Sequence, residues 1–235
     1  MREFRLGVKN WSAWVPGIEQ CGGWRNWEPA DLSAQPDLAF LAPMMRRRLS
    51  PASRLALKAA YDCLGETSIG GAIFCSRHGE CQRTVSMYRA MDSGEGVSPT
   101  QFSQSVHNAA AGVFSIALGL QVPITALAAG PCSGEQGFIE AWSQIRSGMG
   151  PVLWVMADNS LDAPFNTSVR VPEFPFAVAM LLDDFPDAPE IVATRTSVGA
   201  ETALSGTDNL LALLTEQERF KLQGDNGWRW ELHGA

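Results

Sequence analysis

Residues 121–158 read QVPITALAAGPCSGEQGFIEAWSQIRSGMGPVLWVMAD, and they fix the class of the fold. Val122 to Ala129 is an apolar stretch of strand length, and Gly130-Pro131-Cys132-Ser133-Gly134 is dense in turn residues. Glu135 to Ser147 has helical spacing, and Pro151 to Ala157 is a second apolar strand. Strand, sharp turn, helix and strand in this order predict an α/β unit. A tight turn between a buried strand and a helix is also a place where enzymes mount a nucleophile, with backbone N–H groups beside it to hold an oxyanion.

Outward from this stretch, strands and helices keep alternating. Ser50-Pro51-Ala52-Ser53 predicts a helix start, with Leu55, Ala56, Ala59, Ala60, Cys63 and Leu64 forming an apolar stripe. Ser68 to Cys75 predicts a strand that ends in the polar loop Ser76-Arg77-His78-Gly79-Glu80, before a helix to about Ala90. Ser98-Pro99-Thr100-Gln101 has the form of a capping box and opens a helix so rich in Ala, Gly and Ser that close central packing is expected. Phe174–Leu182 and Glu190–Val198 predict strands, Asp208–Leu214 a helix, and Trp228–Leu232 a last short strand. The first 40 residues, rich in Trp, Gly and Pro, are expected to cap one side of a core. The class is therefore α/β, a mixed β-sheet covered by helices on both faces, in one domain over residues 1–235.

Composition narrows the partners. At 235 residues the chain can bury a sizeable core, and 46% apolar residues suit a globular protein. A net charge of −7 argues against nucleic acid, since no positive excess is available to neutralise phosphates. The one basic run, Arg46-Arg47-Arg48, is expected to be a solvated helix start. No apolar run approaches the about 20 residues needed to span a bilayer. The N-terminus lacks the apolar core of a signal peptide. Five cysteines without metal-ligand spacing point to a reduced, cytoplasmic protein with no disulfide, zinc or other cofactor.

Several motifs together resemble the N-terminal half of β-ketoacyl synthases of the thiolase-like superfamily. They are Trp11-Ser12-Ala13-Trp14, Met45-Arg46-Arg47-Arg48-Leu49-Ser50, Gly79-Glu80 and, most specifically, Ser98-Pro99-Thr100-Gln101-Phe102 running on through Ser105-Val106-His107-Asn108-Ala109-Ala110-Ala111-Gly112. The resemblance implies a thiolase-like half-fold. Ketosynthases of the superfamily use a cysteine at the strand-to-helix elbow and two histidines from a C-terminal half that this chain is not expected to contain. Counted along the strand, the nucleophile position falls on Pro131, with Cys132 one residue late. Proline removes both the thiol and the backbone N–H. His107 belongs to the N-terminal motif and is expected to cap or pack; His233 is expected to be solvated. Cys132 is expected to be a buried structural thiol.

The resemblance therefore implies a chain-length-factor-like subunit, catalytically silent and paired as a heterodimer with a full-length ketosynthase. Acyl carrier protein would act through the complex, in an aryl-polyene-like type II polyketide or fatty acid pathway. The strand before the elbow would pair across the interface, which makes Val122, Thr125, Ala126, Leu127 and Ala129 candidates for partner contact. Phe102, Val106, Ala109 and Phe138 become candidates for shaping the acyl tunnel. The glutamine that marks silent subunits of aromatic polyketide systems is absent from this position, since Gln136 falls well beyond it. Two alternatives stay open: an acyltransferase or condensing enzyme using Cys132, with His107 as base, and a small carrier-protein docking module using Arg46 to Arg48.

Overall fold

The computed structural model describes residues 3–17, 33–161, 174–195, 221–223 and 227–234. In chain order these hold β1 (Glu3–Trp14), α1 (Pro43–Arg48), α2 (Pro51–Leu64), β2 (Gly71–Cys75), α3 (Cys81–Asp92), α4 (Pro99–Ser103), α5 (Ala109–Leu118) and β3 (Ile124–Leu127). There follow α6 (Ser133–Arg146), β4 (Val152–Asp158), β5 (Phe176–Asp183), β6 (Glu190–Arg195), β7 (Lys221–Gln223) and β8 (Trp228–His233). The strands form one mixed sheet in the order β3-β2-β4-β5-β1-β6-β8-β7. β2 runs parallel to β3 and β4, and the remaining neighbours are antiparallel.

Side-chain alternation explains why the central strands read as unbroken apolar runs. Trp154 and Met156 of β4, with Val178 and Met180 of β5, face α6 and pack with Phe138 and Ala141. Leu153 and Val155, with Ala179 and Leu181, face the other way onto α2 and Phe114 of α5. Every residue of β4 is buried. A strand covered on both faces needs apolar side chains at every position, not at every second one. Helices cover both faces, as the sequence implied.

The start of α2 is as expected: Ser50 Oγ accepts the Ser53 N–H at 3.0 Å, with Pro51 opening the helix, and the whole predicted stripe is buried. Other expectations are corrected. The N-terminal segment forms β1, a strand in the middle of the sheet, where a tryptophan cap was expected. Phe4, Leu6 and Val8 face the α6 side, and the polar residues that disguise the strand are satisfied by α2. Ser12 Oγ donates to Ala59 O at 2.6 Å and Asn10 Nδ2 to Cys63 O at 2.8 Å. Arg46–Arg48 form the last turn of α1, not a helix start, which suits their charge to the negative end of the helix. β2 begins at Gly71 and not Ser68. The expected helix at 208–214, the end of the expected strand at 196–198, and Trp24, Trp27 and Cys21 lie outside the described residues.

The small-residue helix is the largest departure. It is broken into α4 and α5, and Ser98 makes no side-chain cap bond. At the break, Ser105 N–H and Ser105 Oγ both turn back to Phe102 O, at 3.1 and 2.7 Å, which closes α4. Only Ala111 and Phe114 of α5 are buried, so the helix lies at the surface and is not central.

Candidate functional site

β3 is the edge strand of the sheet, and the elbow follows directly from it. Gly130 turns the chain at φ 58°, in the left-handed region that suits glycine. Ser133, fully buried, locks the turn: its Oγ accepts the Ala129 N–H at 3.0 Å and donates to Gly130 O at 2.7 Å. Pro131 stands exposed on the turn with no N–H to offer. The next two N–H groups are turned inward, Cys132 N to Ala129 O at 3.3 Å and Ser133 N to Gly130 O at 3.2 Å. Pro131 thus has no N–H, and the two that follow are spent within the turn.

Cys132 is the residue before the first turn of α6, with φ −94° and ψ 19°, and makes no side-chain cap bond. It is half-buried, where a buried thiol was expected. His107 does act as a structural histidine. Its Nε2 lies 3.1 Å from Leu127 O, and a carbonyl only accepts, so Nε2 carries the proton. Its Nδ1 edge lies against Gly79, whose φ of 52° and missing Cβ make room for the ring. Nε2 of His107 is thus committed within the fold, and its Nδ1 edge is packed against Gly79. His233 is more than half exposed at its side chain and lies 3.2 Å from Glu231.

The candidate partner residues separate into two sets. Val122, Thr125, Ala126 and Leu127 are half-buried along the edge strand, and Ala129 is exposed at its end. Phe102 and Val106 are 68% and 48% exposed on the α4–α5 segment, and Ala109 at the start of α5 is half-buried. Ile116 belongs with this surface at 75% exposed; the expectation of a packed helix hid it. Phe138 stands apart from both sets. It is fully buried, stacked on Trp154 at 4.4 Å between ring centres, on the sheet side of α6. The helix sits this close because Gly137 has no Cβ to meet Cys75 and Trp154.

Two buried carboxylates, Glu80 and Asp158, stand here, and the sequence reading gave neither a role. Glu80 Oε1 accepts from Ser50 Oγ at 2.7 Å and Ser53 Oγ at 2.6 Å, while its Oε2 pairs with Arg83 at 3.2 Å. The quoted motifs Leu49-Ser50 and Gly79-Glu80 therefore meet in space. Asp158 ends β4 and holds the 76–78 loop. Glu80 was visible only as part of the Gly79-Glu80 motif and Asp158 not at all, because isolated acids in polar loops carry no periodic signal.

A family model described as the N-terminal domain of β-ketoacyl synthase matches residues 24–231. Among solved structures, the chain is similar to a chain in the complex of the ketosynthase ApeO with its chain length factor ApeC from Xenorhabdus doucetiae. Identity is 28% with a TM-score of 0.80, and the match covers 97% of this chain and 99% of that one. The ishigamide ketosynthase/chain length factor has a similar fold at 17% identity and TM-score 0.61, over 89% of this chain and 71% of that one. So has a β-ketoacyl synthase from Burkholderia phymatum, at 17% identity and TM-score 0.60, over 92% and 70%. No curated protein matches.

Proposed function

The chain belongs to the β-ketoacyl synthase N-terminal domain family, with its thiolase-like α/β half-fold, and on that premise we propose that it is a non-catalytic, chain-length-factor-like subunit. It pairs with an active β-ketoacyl-carrier-protein synthase of a type II polyketide or fatty acid pathway, of the aryl polyene kind, and shapes the acyl tunnel of that partner.

The observation that carries this reading is the outer edge of β3. Ala72 N–H bonds to Pro123 O and Ser76 N–H to Leu127 O, so the odd-numbered residues turn their polar backbone groups toward β2. Alternation then points the N–H and C=O of Ile124, Ala126 and Ala128 outward. Natural edge strands are normally blunted by charge. From Val122 to Ala129 there is no charged side chain, and Phe102, Val106 and Ile116 are exposed. An open, uncharged edge suits continuation of the sheet into a second protein. The similarity to a chain of the ApeO–ApeC complex over 99% of that chain's length supports a place for a protein of this size in such an assembly.

The elbow supports the silent role. Condensation needs a thiolate and oxyanion donors; Pro131 supplies neither, and His107 Nε2 is held by Leu127 O. In this reading acyl carrier protein acts through the complex.

The test is co-expression with the full-length ketosynthase of the same organism, followed by size-exclusion chromatography with light scattering. A one-to-one heterodimer is expected. Ala126→Pro, which removes an outward N–H and leaves the bonds to β2 in place, should abolish it. Cys132→Ala should leave product formation unchanged. Loss of product in an intact Cys132→Ala complex, or an acyl adduct on Cys132 in the intact-mass spectrum, would overturn the silent role in favour of an acyltransferase.

A further inference from the structure

Asp158 is 2% exposed, and nothing in the proposed pairing uses it. Its Oδ1 accepts from Ser76 Oγ at 2.6 Å, from Arg77 N–H at 2.9 Å and from His78 N–H at 3.1 Å, and its Oδ2 shares the Arg77 N–H at 3.0 Å. Burial pushes the pKa of this carboxyl up, and the three donors together with His78 pull against that rise. A carboxylate this deep is tolerated only when donors surround it, so its geometry and that of the loop are fixed together.

The contacts continue from there to the sheet edge. Ser76 Oγ also accepts the Gly79 N–H at 2.7 Å, which sets Gly79 in its left-handed conformation. Gly79 seats the ring of His107, and His107 Nε2 donates to Leu127 O, the last carbonyl of β3. Ser76 N–H reaches the same carbonyl at 3.1 Å. His107 in turn fixes the 104–108 break, next to exposed Val106. We infer that Asp158 is a positioning residue for the pairing edge: through loop 76–79 and His107 it sets where the end of β3 and the Val106 segment stand, so partner affinity depends on a carboxylate the partner never touches. The inference rests on the pairing reading above.

The experiment measures ketosynthase binding by Asp158→Asn, His107→Ala, their double variant and His107→Gln, with hydrogen exchange on each chain alone. Asp158→Asn and His107→Ala should each weaken binding about 10-fold. The double variant should be no weaker than either single one, because both break one chain of contacts. His107→Gln should bind like the parent, since its amide still donates to Leu127 O. Additive losses, or parental affinity in Asp158→Asn, would overturn the inference. If Asp158→Asn fails to fold, the contrast between His107→Ala and His107→Gln decides alone, and equal binding by the two overturns it. If even the parent ignores the ketosynthase, the pairing reading fails by itself. Hydrogen exchange then still judges the relay: Asp158→Asn should speed exchange at Ser76 and across 104–109, and unchanged exchange there counts against it.

Discussion

Gly137 sets how near α6 comes to the sheet. A Cβ there would run into Cys75 Sγ and Trp154 Nε1, and the latter donates to Gly134 O at 3.2 Å. Gly137→Ala should therefore destabilise the chain by about 1–3 kcal/mol in urea unfolding, the usual cost of overpacking a filled core. Gly112 in α5 is the counter-example, because a Cβ added there meets nothing within 4 Å. Gly112→Ala should stabilise by about 0.5–1 kcal/mol in the same experiment, through helix propensity. The cysteines separate as clearly. Burial pushes the Cys75 thiol well above its ordinary pKa, so almost none of it is thiolate at neutral pH, whereas Cys132 is half-buried on the elbow. Brief iodoacetamide treatment of the native protein should carboxamidomethylate Cys132 while sparing Cys75 and Cys63, as read by peptide mass; equal labelling would contradict the packing.

Glu80 joins two elements, since it stands at the start of α3, where it pairs with Arg83, and holds both serines at the start of α2. Glu80→Ala would leave two buried hydroxyls and a guanidinium without their acceptor. The expected cost is about 3 kcal/mol by thermal or urea unfolding, and a loss under 1 kcal/mol would mean that water replaces the carboxylate. What the sequence disclosed at this scale followed periodicity. The α2 stripe, the two-faced strands β4 and β5 and the elbow were legible because apolar spacing reports burial directly. β1 was hidden because Asn10 and Ser12 are polar residues satisfied by α2 carbonyls, a pairing known only once the helix lies on the strand. The α4–α5 break was hidden for a related reason: the residues from Ser103 to Ala109 have tolerable helix propensity, and the competitor is a tertiary bond from His107 to Leu127. Pro131 was readable as an elbow residue without an N–H. The outward exposure of Ile116 was not, since in sequence it differs in no way from a core isoleucine.

At the scale of the molecule, no strand among the described residues pairs with the outer edge of β3, and apolar residues on α4 and α5 are exposed. Such an edge pairs with whatever strand it meets. Alone in solution, the chain should show light scattering that rises with concentration, and Ala126→Lys should suppress that rise while leaving circular dichroism unchanged. Scattering that is flat for the parent chain would mean the edge is already blunted. β1 has a different consequence. It precedes β2, β3 and β4 in the chain, yet its hydrogen-bonding neighbours are β5 and β6, with Gly7 opposite Asp183 and Phe4 opposite Ala193. During synthesis the parallel end of the sheet, β2 to β4, has all its members before either neighbour of β1 has been made. β1 must therefore be carried as an unpaired strand until β5 has left the ribosome, which makes the order of assembly run from the β3 end of the sheet toward its interior.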